Sequence, residues 1–451
     1  MFVASLASVL GTTAGGSSTR GTARADPPST RPNILLVVAD DEAQSTFSRA
    51  LMPNVFSKIA DQGVLFDKAY VNTSLCCPSR SQMLTGLYAT DTNVSSNYDE
   101  LARPTLVQAM HDSGYRTLLA GKYLNSHPCD DVRPEFDEYY CYGEGDSAEK
   151  DPTINVNGTD IPFTGYSADI FAGFVSRFVA TTPSDQPFLA VYTPKDPHFP
   201  ADDDRFASLP VPLYRPPNFD EDTLHDGKPR AIQRGPLTDR EIAQIDTQYQ
   251  DMYRSSRGLD NAVGTILDSL GSRAANTVVF YISDNGFFYG EHRRVQGKVD
   301  PYQESVNVPM IVRDPQLHPT TDPQVSDALV ENVDIPATIA QRAGIDWHTD
   351  GQSLVPLIDG SASAIRNAVL IDHCIAGAGP ACWPRVRPES RLRRRRHRSV
   401  QVHRIRHRRK GALRPLERSV RARESRGRPG VGRDTGRPRR AARGTARDTA
   451  P

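Results

Sequence analysis

Two apolar runs in this 451-residue chain end in the same manner. Asn33-Ile34-Leu35-Leu36-Val37-Val38-Ala39 stops at Asp40-Asp41, and Thr277-Val278-Val279-Phe280-Tyr281-Ile282-Ser283 stops at Asp284-Asn285. Neither run alternates apolar with polar residues. A strand with one wet face would alternate, so these runs suit strands buried on both faces, as in a parallel sheet flanked by helices. The stretches 115–120 and 187–193 have the same character. In open α/β sheets, ligands bind beyond the carboxyl ends of the strands, which makes Asp40 and Asp41 candidate site residues. Alone, an acid pair is common on surfaces and Asp-Asn-Gly is ordinarily a turn. Two such pairs, each ending an apolar strand, are less ordinary.

Helical patterns fall between the runs. They cover 53–63, 105–113 with Gly114 as a stop signal, and 166–180. A longer helical stretch begins at Leu237, with Thr238-Asp239-Arg240-Glu241 as a capped start, and is expected to run with breaks to about Leu270. The segment 206–236 is rich in proline and charge and is expected to form a long surface loop over the site, concerned with substrate choice.

The chemistry is concentrated in Ser74-Leu75-Cys76-Cys77-Pro78-Ser79-Arg80, followed by Thr85-Gly86. Adjacent cysteines at a Pro-Ser turn also allow a buried thiol beside a disulfide partner. The motif C-x-P-S-R with a T-G at this spacing resembles the signature of the type I sulfatases. Further matches are Pro32-Asn33-Ile34-Leu35 with Asp40-Asp41, Gly121-Lys122-Tyr123-Leu124-Asn125, Pro197-His198-Phe199-Pro200, Asp284-Asn285-Gly286 and Gly297-Lys298. The resemblance covers residues 31 to about 384, and the G-K-Y-L-N form is similar to the N-acetylglucosamine-6-sulfatase and bacterial arylsulfatase branch.

The resemblance implies an α/β, alkaline-phosphatase-like sandwich, with a large mixed sheet flanked by helices and a smaller C-terminal antiparallel domain. It implies that Cys76 is oxidised to formylglycine by a formylglycine-generating enzyme and that Arg80 holds the resulting diol. Asp40, Asp41, Asp284 and Asn285 would ligate Ca²⁺, or Mg²⁺, as hard oxygen donors do. Lys122, His198 and Lys298 would grip the sulfate. One diol oxygen would attack sulfur, His198 or Lys298 would protonate the leaving alcohol, and the second hydroxyl would expel sulfate. Many sulfatases have a histidine where Asn125 stands; an amide cannot serve as a general base near neutral pH, so Asn125 is expected to bind substrate only. The substrate would be a sulfated sugar or another sulfated small molecule. A phosphate or phosphonate ester hydrolase of the same superfamily, and a catalytically inactive truncated sulfatase, are the alternatives.

Composition adds an address and a discontinuity. Residues 1–30 are expected to be an export signal and arm: Met1–Gly16 are small and weakly apolar, and Ala23-Arg24-Ala25 has the form of a cleavage site, although a positive n-region is missing. A disordered Ala/Ser/Thr/Gly arm is the other reading. Elsewhere no stretch approaches the ~18 apolar residues of a membrane span. The expected location is secreted or periplasmic. There either pair, Cys129 with Cys141 or Cys374 with Cys382, could form a disulfide.

The net charge of zero hides a body of about −20 and, from Arg385 onward, a tail of about +20. The Arg-rich tail 385–451 is read as a polyanion-binding segment, a disordered linker or a shifted reading frame. The last is preferred, because codons able to encode 400–424 also permit, one nucleotide later, a sequence resembling the ending of sulfatases. On that reading the C-terminal domain is lost. No nucleic-acid partner is expected.

Overall fold

The computed structural model describes residues 31–143, 148–201, 203–224, 228, 232–318 and 323–373, with the backbone of 403–404. The strands are β1 (Asn33–Ala39), β2 (Val64–Phe66), β3 (Ala69–Tyr70), β4 (Arg116–Gly121), β5 (Glu138–Tyr142), β6 (Thr153–Val156) and β7 (Thr159–Pro162). They continue with β8 (Phe188–Thr193), β9 (Thr277–Ser283), β10 (Met310–Arg313), β11 (Gln324–Ser326), β12 (Val330–Glu331), β13 (Leu370–Ile371) and β14 (His403–Arg404). The α-helices are α1 (Pro53–Lys58), α2 (Cys76–Thr85), α3 (Ala89–Thr92), α4 (Leu106–Asp112), α5 (Ser167–Thr181), α6 (Asp239–Ser269), α7 (Gln303–Val306), α8 (Asp334–Ala343) and α9 (Val355–Ile358).

Ten strands form one sheet in the order β11-β2-β10-β9-β1-β8-β4-β5-β6-β7. The central strands β9, β1, β8, β4 and β5 run parallel, whereas β10, β6 and β7 pair antiparallel with their neighbours, so the sheet is mixed as expected. The apolar runs are explained by what covers them. From β1, Ile34, Leu36 and Val38 join a core with Met83, Leu84, Leu106, Met110, Ile335 and Ile339 of α2, α4 and α8. Leu35, Val37 and Ala39 join the opposite core with Val55, Phe171, Val175, Leu259 and Ile266 of α1, α5 and α6. With both faces dry, each buried Ile, Leu or Val contributes about 1.5–3 kcal/mol, and the one polar residue of β1, Asn33, stands at its first position.

Register then sets the site. Ala39 lies opposite Ser283 in the β1–β9 pair, so Asp40-Asp41 and Asp284-Asn285 leave the sheet side by side. Gly121 lies opposite Thr193 in the β4–β8 pair, so Lys122 and the loop bearing His198 emerge next to them. The glycine before Lys122 is required: its φ is +124°, and a Cβ there would lie 2.0 Å from the Thr193 carbonyl oxygen. That closeness lets the Lys122 amide donate to the same oxygen at 2.6 Å.

Helix α2 is buried along its whole length. It ends at Gly86, whose φ of +77° is a left-handed helix stop. The Gly86 carbonyl accepts from the Thr349 hydroxyl at 2.8 Å and the Asp350 amide at 2.8 Å. The Thr85-Gly86 pair of the motif thus anchors the far end of the helix that begins with Cys76.

Two expectations need correction. The helix expected over 53–63 stops at Lys58 and continues as a 3₁₀ turn over Ala60–Gln62. The stretch expected to break before Leu270 is one helix of 31 residues, about 46 Å long. Its small residues are packing positions: a Cβ on Gly258 would lie 2.3 Å from Asp203 Oδ2, and one on Gly264 2.7 Å from Asn54 Cγ. The β6–β7 hairpin was not foreseen, although Asn157-Gly158, with φ of 51° and 91°, is a strong two-residue hairpin signal.

Cys129 and Cys141 form a disulfide. The second cysteine pair lies outside the described residues, as do the N-terminal arm and, apart from the backbone of β14, the Arg-rich tail. The chain divides into two units, 1–407 and 408–451, and the second lies wholly outside the described residues.

Candidate active site

Cys76 is the first residue of α2, entered from an extended Leu75. The helix therefore presents its free amide end to whatever is bound at Cys76, a favourable place for negative charge. Cys76 Sγ lies 2.9 Å from Lys298 Nζ and 3.7 Å from Asp40 Oδ1. Lys122 Nζ lies 2.5 Å from Asp40 Oδ2. Lys298 Nζ also pairs with Asp41, and His198 Nε2 lies 3.5 Å from Asp41 Oδ2.

Arg80, one turn along α2, is 4 % exposed. Its Nε donates to Asp284 Oδ2 at 2.8 Å, its Nη1 to the Lys122 carbonyl at 2.9 Å, and its Nη2 lies 3.5 Å from Asp40. It thereby ties α2 to the strand ends that deliver both carboxylates. Three buried acids, Asp40, Asp41 and Asp284, face the buried Arg80 and the partly buried Lys122 and Lys298. Such balance is what makes so many charges tolerable away from water.

The charges set the protonation states. Burial favours a neutral Asp40, but Lys122, His198, Arg80 and Lys298 outweigh it and hold the carboxyl well below its ordinary range. Burial pushes the Cys76 thiol up to about 12, against the pull of Lys122 and Lys298. As an unmodified thiol, Cys76 is therefore protonated at neutral pH and a weak nucleophile.

The predicted metal donors lie close together. The Asp41 amide donates to Asp284 Oδ1 at 3.1 Å, and Asn285 Nδ2 donates to Asp41 Oδ1 at 2.7 Å. Asn285 Oδ1 is buried and has no hydrogen-bond partner among the described residues. A buried orphan acceptor beside carboxylates fits a hard divalent cation such as Ca²⁺ or Mg²⁺. Donor atoms of Asp40, Asp41, Cys76 and His198 also lie within 4.8 Å of one another, so Cys76 and His198 border the same position. Asp41 holds φ at +69°, an uncommon backbone state for a non-glycine residue and one that clusters at functional sites.

Asn125 makes no hydrogen bond to these residues. Its backbone and side chain contact Cys77 rather than Cys76. Glu42, next to Asp41 and outside the matched motifs, is fully buried, hydrogen-bonded to the Tyr281 hydroxyl, and lifted by burial to about 8. A third consecutive acid after a buried strand was the available signal.

A family model described as Sulfatase matches residues 32–345 of this chain. The chain belongs to the sulfatase family. It is a sulfatase, and it is 27 % identical over 384 residues to the N-acetylglucosamine-6-sulfatase of Capra hircus, covering 78 % of this chain and 68 % of that one. It is 26 % identical to the N-acetylglucosamine-6-O-sulfatase of Bacteroides thetaiotaomicron, covering 73 % and 71 %. Its fold matches, at a TM-score of 0.67 and 22 % identity, a structure solved in complex with its substrate D-glucosamine-2-N,6-O-disulfate, covering 77 % of this sulfatase and 85 % of that chain. The alkaline-phosphatase-like architecture expected from the motifs is thus the observed one. Among the described residues, no helix is long and apolar enough to cross a membrane.

Proposed function

We propose that this sulfatase removes sulfate from a sulfated sugar of the N-acetylglucosamine 6-sulfate type, with Cys76 converted to formylglycine and Ca²⁺ held by Asp40, Asp41, Asp284 and Asn285. The observation that carries this reading is the placement of Cys76 at the amino end of α2, with Lys298 at 2.9 Å and the Lys122–Asp40 pair adjoining. The substrate class rests on the two relatives named above, both sulfatases of N-acetylglucosamine 6-sulfate.

Within this reading each side chain has a task. A formylglycine diol at position 76 would supply a nucleophilic oxygen and a second hydroxyl for releasing sulfate, which a bare thiol lacks. A bound cation would supply Lewis-acid polarisation of the sulfate oxygens. Lys122 and Lys298 neutralise charge that spreads over those oxygens. His198, 29 % exposed at its side chain, reaches the site from the solvent side and is the group best placed to hand a proton to the leaving alcohol. Arg80 orients the residue at position 76 through its grip on both carboxylates. The catalytic unit is taken as 31–384. The Cys129–Cys141 disulfide and the Drosophila melanogaster relative, an extracellular sulfatase homologue 28 % identical over 378 residues, support export; the match covers 75 % of this chain and 32 % of that one.

The test is the intact mass of the peptide containing Cys76, from protein made with an active formylglycine-generating enzyme, followed by assays on sulfate and phosphate esters of one sugar alcohol. A loss of about 18 Da with preferential sulfate release is expected. An unmodified thiol in fully active protein, or preference for the phosphate ester, would overturn the reading.

A further inference from the structure

Cys77 fills the variable position of the motif, yet it is hydrogen-bonded to segments 20 and 48 residues away in the chain. Its side chain is fully buried. Its sulfur accepts the Asn125 backbone N–H at 3.0 Å and lies 3.5 Å from Asn125 Oδ1 and 3.7 Å from the Asn97 carbonyl. Its own amide donates to Asn97 Oδ1 at 3.0 Å. One residue therefore joins the start of α2, the 93–99 loop, and the segment after β4 that carries Lys122 and Asn125.

The partners of this joint differ in a useful way. The 93–99 loop is fixed from within, because Asp99 accepts from the Ser95 amide and hydroxyl and from the Ser96 amide at 2.8–2.9 Å. Burial raises the Cys77 thiol above its ordinary range, so it keeps its proton and has one S–H to donate. Asn125 is exposed. Its backbone N–H and Oδ1 face Cys77, which leaves the carboxamide NH₂ as the group it turns outward.

We propose that Cys77 is a positioning residue that holds the Asn125 carboxamide with its NH₂ group turned towards the sulfate ester bound at Cys76. This rests on the sulfatase reading above. An amide NH₂ donates but does not take up a proton near neutral pH, so the effect falls on binding of the ester rather than on proton transfer. A lost neutral hydrogen bond corresponds to a change of about five- to tenfold.

The experiment is a double-mutant cycle of Cys77→Ala and Asn125→Ala in protein whose Cys76 peptide has the converted mass, with kcat and KM measured on N-acetylglucosamine 6-sulfate. Each single variant is expected to raise KM about five- to tenfold with kcat little changed, and the double variant to match Asn125→Ala alone. Cys77→Ser, which keeps a donor and an acceptor, is expected to restore KM. Cys77→Val, which fills the space without the hydrogen bonds, replaces Cys77→Ala should the latter not fold. Independent losses in the cycle, or an unchanged KM, would overturn the proposal.

Hydrogen exchange over 122–126 is read in parallel without turnover. Cys77→Ala or Cys77→Val is expected to speed it, and an unchanged rate also overturns the proposal. A parent protein that releases no sulfate would overturn the proposed function instead, and exchange would then decide for or against the Cys77 lock by itself.

Discussion

Lys298 Nζ lies between two partners, 2.9 Å from Cys76 Sγ and in an ion pair with Asp41. One side chain from the loop after β9 thus bridges the residue that opens α2 and the second residue after β1. Its charge is secure: burial favours the neutral amine, but the carboxylates of Asp41, Asp40 and Asp284 more than reverse this and raise its pKa well above the ordinary value. Lys298→Ala is expected to lower kcat on a sulfate ester about 10²- to 10³-fold, by removing a cation aimed at the transferring group. Steady-state kinetics on protein with equal conversion of Cys76 checks this.

Metal binding can be read without turnover. Added Ca²⁺ is expected to raise the melting temperature, by up to about 2.7 kcal/mol of stabilisation at a hundredfold excess over Kd. Asp40→Asn and Asn285→Ala are expected to weaken that response. Calorimetry across a Ca²⁺ series, with a chelator control, would refute the four-oxygen site if the variants responded like the parent.

A pH dependence of stability is expected away from the active site. Glu331 is 1 % exposed and shares Arg366 with Asp334, at 2.9 Å and 2.5 Å respectively. Burial lifts the Glu331 carboxyl from 4.5 to about 7, with Arg366 pulling it down and Asp334 pushing it up. The folded state therefore keeps this proton over a range where the unfolded chain has lost it. Stability falls as pH rises from about 4.5 to about 7, by roughly 3 kcal/mol from this group, and is level above. Glu331→Gln is expected to flatten that slope, as urea denaturation at several pH values would reveal.

Two glycines are expected to respond oppositely to alanine. At Gly86, φ is +77° and a Cβ would lie 2.4 Å from Thr349 Oγ1, so Gly86→Ala is expected to cost about 2–3 kcal/mol. At Gly173, in the exposed part of α5, nothing lies within 4 Å of such a Cβ, and Gly173→Ala is expected to add about 0.5–1 kcal/mol. Thermal unfolding of the two variants side by side is the measurement.

How much of this was legible in the sequence follows from what each residue faces. Strands β1, β4, β8 and β9 were legible because burial on both faces forces uninterrupted apolar runs, and a sharp change to Asp, Lys or His marks where each ends. The unbroken α6 was not, because Gly258, Gly264 and Ser255 look like helix breakers until their partners are known; they are small where Asp203, Asn54 and Asp196 press against the helix. In the site, Asp40, Asp41, Cys76, Arg80, Lys122, His198, Asp284, Asn285 and Lys298 meet as the motifs implied. The Cys77–Asn125–Asn97 joint was illegible because residues 77, 97 and 125 become neighbours only through tertiary packing.

The depth of Cys76 orders events in time. Its side chain is 1 % exposed, beneath Lys298 and against Asp40, and its neighbours come from positions as distant in the chain as 40 and 298. Any enzyme that must grasp the sulfur and the residues around it has access only while those distant parts have yet to meet. If Cys76 is converted as proposed, maturation and folding would compete for the same nascent segment, and a chain that folds first would seal in an unreacted thiol. The yield of competent protein becomes a matter of kinetics during synthesis, tunable by temperature and expression rate with no change in sequence.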